Sequence, residues 1–169
     1  MNLKEEILKY YSKYDTVRIA RHIDKDEDLF RELIDMYFDA GQQELAKKAA
    51  WILRHCVDQH PYLIRPYIKK IVKYLAWEGH HDAIKRNGLA VLESITLPKN
   101  VYGSLTQLCF EFITSGKEPV AIKAYSIGIL DKIGDEIPEI RHELKLILQE
   151  LIPYESAGFK ARAKRILAK

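Results

Sequence analysis

Cysteine, glycine and proline are all scarce: two, eight and six residues in a chain of 169. Two thiols cannot staple a disulfide scaffold, and so little Gly and Pro excludes collagen-like and low-complexity architectures. Cys56 and Cys109 both fall among apolar residues in helical patterns, which predicts two buried free thiols and a reducing compartment. No apolar run approaches the roughly 20 residues that a membrane-spanning helix needs. The first residues, Met1-Asn2-Leu3-Lys4-Glu5-Glu6, lack the order of a secretion signal, so a cytoplasmic protein without membrane contact is expected. Excess charge is missing too. The net charge of +3 falls short of the positive field that a dedicated nucleic-acid binder carries. There is no Gly-rich phosphate loop, nucleophile elbow, zinc-protease helix motif or paired-cysteine motif. Neither an enzyme, a cofactor nor a bound metal is therefore expected.

What the chain does contain is a repeat. Pro61, Pro98 and Pro138 lie 37 and 40 residues apart, each closing one helical pattern and opening the next. The segment before each turn also recurs. Ala83-Ile84-Lys85 runs on to Val91-Leu92, Ala121-Ile122-Lys123 to Ile129-Leu130, and Gly158-Phe159-Lys160 to Ile166-Leu167, with a fainter copy from Leu45-Ala46-Lys47 to Ile52-Leu53. These first helices read as buried on several sides. Between Pro119 and Ile133 apolar residues cover most of the circumference, and Ala121, Ala124, Gly128 and Gly134 let neighbours come close. The second helices carry a narrower stripe. From Pro61 to Trp77, Leu63, Ile64, Tyr67, Ile68, Ile71, Val72 and Leu75 recur at spacings of three and four, with Lys69, Lys70 and Lys73 opposite. The stretches from Pro98 to Ser115 and from Pro138 to Ile152 repeat this pattern.

The first forty residues are less regular, with helices expected over Leu3–Ser12, Val17–His22 and Asp28–Asp39, the last stopped by Gly41. Gly116, in a left-handed conformation, is expected to end the helix before Pro119. One domain over residues 1–169 follows: an irregular cap at 1–41, helix pairs at 42–79, 80–116 and 117–154, and a closing helix at 155–169.

Glu118-Pro119-Val120-Ala121-Ile122-Lys123, followed by Ile129-Leu130, resembles the first helix of a HEAT repeat, and the chain from Gln42 to Lys169 is similar to the HEAT and armadillo-like families. It is also similar to small bacterial HEAT-like proteins of unassigned activity. The resemblance implies an all-α fold, a right-handed α-α superhelix of stacked antiparallel helix pairs, and a scaffold whose concave face binds a protein or peptide. The amino-terminal pair, Trp51 and Trp77 depart from the general pattern. The residues for that face are Arg65, Lys69, Lys73, Trp77, Tyr102, Gln107, Arg141 and Lys145. An alternative partner is nucleic acid, because some HEAT-like DNA alkylation repair proteins cradle a duplex; Glu139, Glu143 and Glu150 argue against it.

Other clusters have plainer readings. The recurrent Lys47, Lys85, Lys123 and Lys160 form a basic ladder or, more simply, bond an Asp or a carbonyl in an adjacent repeat. His80-His81-Asp82, with Lys85 and Arg86 one turn later and His55 across the stack, is a sparse metal or catalytic set, and Asp82 reads more simply as a helix cap. Trp51, Trp77, Tyr67, Tyr74, Tyr102 and Tyr125 line a groove or fill the core. Lys160, Arg162, Lys164, Arg165 and Lys169 suit a solvated last helix.

Overall fold

Apolar residues at spacings of three and four fold the chain into helices wherever a cap can open them and a turn can close them. The computed structural model describes residues 1–9 and 12–169. Among them are ten α-helices and no strand: α1 (Leu3–Lys9), α2 (Lys13–Ile23), α3 (Glu27–Tyr37), α4 (Gln43–Gln59), α5 (Ile68–Leu75), α6 (Asp82–Ser94), α7 (Tyr102–Thr114), α8 (Val120–Gly134), α9 (Pro138–Leu151) and α10 (Ala157–Leu167). The end of the helix expected over Leu3–Ser12 takes in Tyr10 and Tyr11, which lie outside the described residues.

Local chemistry sets most of the boundaries. Ser12 opens α2 by a capping box with Asp15, accepting the Asp15 N–H at 3.0 Å. Asp26 opens α3, accepting from the N–H groups of Asp28 and Leu29 at 3.0 Å. Three sequence expectations are corrected here. Asp82 is not the cap of α6; His81 is, its Nδ1 accepting the Ala83 N–H at 3.1 Å, and Asp82 is the first helical residue. Gly116 does not end α7 in a left-handed conformation. Ser115 leaves that helix through extended backbone, and among the described residues only Asp24 and Gly79 have positive φ. Nor does Gly41 stop α3, which closes at Tyr37 with Phe38 as its last cap.

The segment from Pro61 to Trp77 is not one α-helix. Pro61–Tyr67 is a 3-10 helix and the α-helix starts at Ile68. Pro66 is the cause: without an N–H, and with its ring against the preceding turn, it cannot sit inside an α-helix. Pro138 opens α9 at its first turn, whereas Pro98 precedes the 3-10 turn Lys99–Val101 as its cap.

The helices fall into two compact units, residues 1–95 and 96–169. In the first, α4 is the centre, with α1, α2, α3 and α6 packed around it. Ala46, Ala49 and Ala50 are fully buried and let these neighbours approach closely. The same unit holds an aromatic group in which Tyr37, Phe38 and Tyr74 meet edge to face, with centroids 5.0–5.4 Å apart. Tyr37 is fully buried, and its hydroxyl reaches the Ile84 carbonyl at 3.5 Å past Gly88, where a Cβ would lie 2.5 Å from it. Burial pushes the Tyr37 hydroxyl far above its ordinary range.

In the second unit α8 is the centre, packed by α7, α9 and α10. As its all-round apolar sequence predicts, Ile122, Ile127, Ile129 and Leu130 are fully buried. Gly134 meets Arg141 of α9 at a distance that leaves no room for a Cβ, 2.8 Å from the Arg141 Cβ. The recurrent lysines divide in role. Lys123 is buried and donates to Glu155 ahead of α10 at 2.5 Å, with the Phe159 ring 5.9 Å away, while Lys47 bonds Glu44 on its own helix at 2.7 Å. Cys56 on α4 and Cys109 on α7 are free and buried, each thiol pushed up to about 12 by loss of water.

Candidate functional site

Burial of Ile68, Ile71, Val72 and Leu75 turns the opposite side of α5 outward and leaves Lys69, Lys70 and Lys73 exposed. Trp77 stands just beyond the last turn, its N–H donating to the Tyr74 carbonyl at 3.1 Å. The chain then turns at Gly79, whose φ of 87° is the left-handed region. Trp77 is 64% exposed, a large apolar side chain left in water. Its ring lies 6.1 Å from Tyr74, and the Lys70 ammonium sits 4.2 Å over the ring of Phe38. Phe38, Lys70, Lys73, Tyr74 and Trp77 together line a cleft of about 320 Å³. The Tyr74 hydroxyl is buried and has no hydrogen-bond partner among the described residues. Burial, and then the charge of Asp39, hold it above its ordinary range.

Of the residues expected to bind, the structure brings Lys73 and Trp77 together in this cleft. Lys69 is exposed on the same helix, and Arg65 is exposed in the preceding 3-10 helix. Phe38 was not foreseen. It follows α3 and meets Tyr74 by tertiary packing that no local periodicity announces.

The other four expected residues belong to the second unit, and three of them are engaged in it. Tyr102 donates to Glu136 at 2.9 Å, which raises its own hydroxyl and lowers that carboxyl. Gln107 bonds Glu111 one turn on, at 3.0 Å. Arg141 is half-buried and bonds the Asp131 carboxylate and carbonyl at 2.8 and 2.7 Å, and also Asp135. The Arg141 guanidinium holds the Asp135 carboxyl below the usual range. Lys145 is half-buried on α9.

A second cavity in the first unit, about 310 Å³, lies between α4 and parts of α1, α2 and α6. Lys47, Lys48 and Arg54 of α4 and Arg86 of α6 line it beside Trp51 and the buried Asn87, with Ile7, Ile19 and Ile52 as apolar wall. Trp51, read from the sequence as groove or core, is half-buried here. Lys48 and Arg54 were not singled out as a site, and Arg86 only beside the histidine cluster, because residues from positions 7 to 87 meet only after folding.

The histidines do not converge. His80 donates Nε2–H to the Tyr74 carbonyl at 2.6 Å, and His81 is occupied as a cap. His55 stacks near Trp51 with Nε2 buried and unpartnered among the described residues, and burial lowers its pKa. Among the described residues no three His, Cys, Asp or Glu side chains stand where they could hold one metal ion, and no helix is long and apolar enough to cross a membrane.

No curated protein and no solved structure matches the chain. A family profile described as HEAT repeat domain matches residues 3–169. The match begins in α1, so the irregular first forty residues, which by sequence pattern depart from the repeat, are inside it. With first helices recurring at a period near 40 residues and an all-α architecture, the chain belongs to the HEAT repeat domain family, an α-solenoid family.

Proposed function

We propose that this protein is a non-enzymatic scaffold that binds a protein or peptide, and that the outer side of α5 with Trp77 is part of its contact surface. The observation that carries this reading is the cleft of Phe38, Tyr74 and Trp77 flanked by Lys70 and Lys73. An exposed tryptophan beside an apolar recess, rimmed by flexible cations, is the composition of an interaction hot spot. A peptide with an apolar or aromatic anchor next to acidic side chains fits it. The anchor covers the Trp77 ring, the lysines meet the acids, and the Tyr74 hydroxyl gains the partner it lacks. The family supports the same class of function, since HEAT repeats generally serve as protein-interaction scaffolds. Nucleic acid is the weaker reading, because Arg141 is committed to Asp131 and Asp135, and Glu139, Glu143 and Glu150 share its helix. The two buried free thiols suit a reducing compartment, in keeping with the cytoplasm.

The test is affinity purification from the native cell with the wild-type chain and with a Lys69→Ala, Lys73→Ala, Trp77→Ala variant. Co-purified proteins are expected to drop at least about tenfold with the variant, the effect of losing one hot-spot anchor. All three side chains are exposed, so an unchanged melting curve is expected and separates lost binding from lost folding. Retention of every partner at wild-type level by the variant would remove the α5 surface from the proposal.

A further inference from the structure

We propose that the cavity between α4 and α6 binds a small phosphate-bearing molecule with a planar ring, of the nucleotide class. Four cations, Lys47, Lys48, Arg54 and Arg86, line this one cavity of about 310 Å³, and among the described residues no carboxylate lines it. A volume near 300 Å³ is the lower end of small-molecule sites, too small for a folded partner. Three of the cations, Lys47, Lys48 and Arg54, already have contacts. Lys47 bonds Glu44 at the exposed start of α4, and Lys48 donates to the Leu8 carbonyl at 2.7 Å. Arg86 has no such duty: it has no ion-pair or hydrogen-bond partner among the described residues. An arginine at a cavity edge with its fork of donors unused is suited to a phosphate, which it holds by two parallel bonds.

The rest of the lining sorts the ligand further. Trp51, Ile7, Ile19 and Ile52 form an apolar wall against which a planar ring can lie. Asn87 is 4% exposed, and its Nδ2 donates to the Ala83 carbonyl at 2.9 Å, which leaves the Oδ1 acceptor and the second Nδ2 hydrogen for a ligand. A ring amino group or a sugar hydroxyl supplies the donor that Oδ1 takes. Phosphate, ring and donor are the three parts of a nucleoside monophosphate, and inorganic phosphate alone would use only the first.

The experiment titrates the whole chain with AMP, adenosine, inorganic phosphate and a single-stranded oligonucleotide. Binding is followed by calorimetry and by the indole N–H resonance of Trp51, identified by its loss in Trp51→Phe. The expected result is saturable AMP binding that moves the Trp51 resonance, with adenosine and phosphate each at least tenfold weaker. Arg86→Gln should weaken AMP at least tenfold with an unchanged melting curve, Arg86 being exposed and unpaired. Equal binding of AMP and adenosine, an unaltered affinity in Arg86→Gln, or no movement of Trp51 would each overturn the proposal. Binding of the oligonucleotide through Arg86 without binding of AMP would overturn it in favour of nucleic acid. The Lys69, Lys73, Trp77 variant keeps the AMP site, so failure here and failure of the α5 surface are told apart.

Discussion

Single substitutions at Gly88, Ile127, Leu130 and His55 test the structure one residue at a time. Gly88 sits where a Cβ would meet the Tyr37 hydroxyl at 2.5 Å and Leu75 at 3.0 Å. Alanine normally gains about 1 kcal/mol over glycine inside a helix. Here the clash wins, and Gly88→Ala is expected to cost about 1–3 kcal/mol in denaturant unfolding. Tyr37→Phe removes the oxygen and should return part of that loss, which a clash elsewhere would not do. In α8, Ile127→Ala or Leu130→Ala empties a site with 0% exposure and should cost about 2–5 kcal/mol. A loss below about 1 kcal/mol would mean that the helix is not enclosed. His55 sets a pH dependence. Its folded pKa lies below the ordinary 6.5, so the unfolded chain takes up the proton first. The stability it lends is complete above about pH 6.5 and is lost as the pH falls through that value toward the lowered folded one. A His55→Gln variant should show a flatter acid limb in unfolding curves measured from pH 7 to pH 5. An unchanged slope would place the titration elsewhere.

At the level of elements, the second unit turns on the contact between Lys123 of α8 and Glu155 ahead of α10. The two side chains are 7% and 17% exposed, so the ammonium has little water to fall back on once its partner is lost. Glu155→Gln should cost about 3 kcal/mol, and the same change in a Lys123→Met background much less. A double-mutant cycle measures the difference. This contact also shows what was legible beforehand. The all-round apolar pattern marked α8 as buried, because one helix in an apolar sleeve needs apolar residues on every side, and the period gave Lys123 a structural reading beside that of a basic ladder. The partner of Lys123 was not legible, since 32 residues separate it from Glu155. Helix ends were read less well than helix bodies. Pro66 breaks Pro61–Tyr67 away from α5 through one missing donor and one ring, a local effect outweighed on paper by seven apolar residues in good register. His81 takes the cap from Asp82 because an imidazole nitrogen accepts the Ala83 N–H as a carboxylate would. Of the expected surface, Lys73 and Trp77 meet in one cleft. Arg141 is instead drawn into the pair with Asp131 by the close meeting of α8 and α9 at Gly134, and the cavity around Trp51 assembles from four helices, of which the repeat relates only α4 and α6.

For the whole molecule, the family match spans residues 3–169 while the packing divides at residue 95. A repeat chain is stabilised by contacts within and between successive pairs, so its parts need not open together. The two cysteines fall one on each side of that division, Cys56 at the centre of the first unit and Cys109 in the second. With both thiols held near 12, almost no thiolate exists at neutral pH while the chain is folded. Alkylation in native buffer should therefore run at least a hundredfold slower than in strong denaturant, and a thiol labelled at its unfolded rate without denaturant would contradict its burial. Across a urea series, the mass of each cysteine peptide then times the opening of its own half. A chain with two scarce thiols carries two clocks, and their agreement or divergence reads how far cooperativity travels along the repeat.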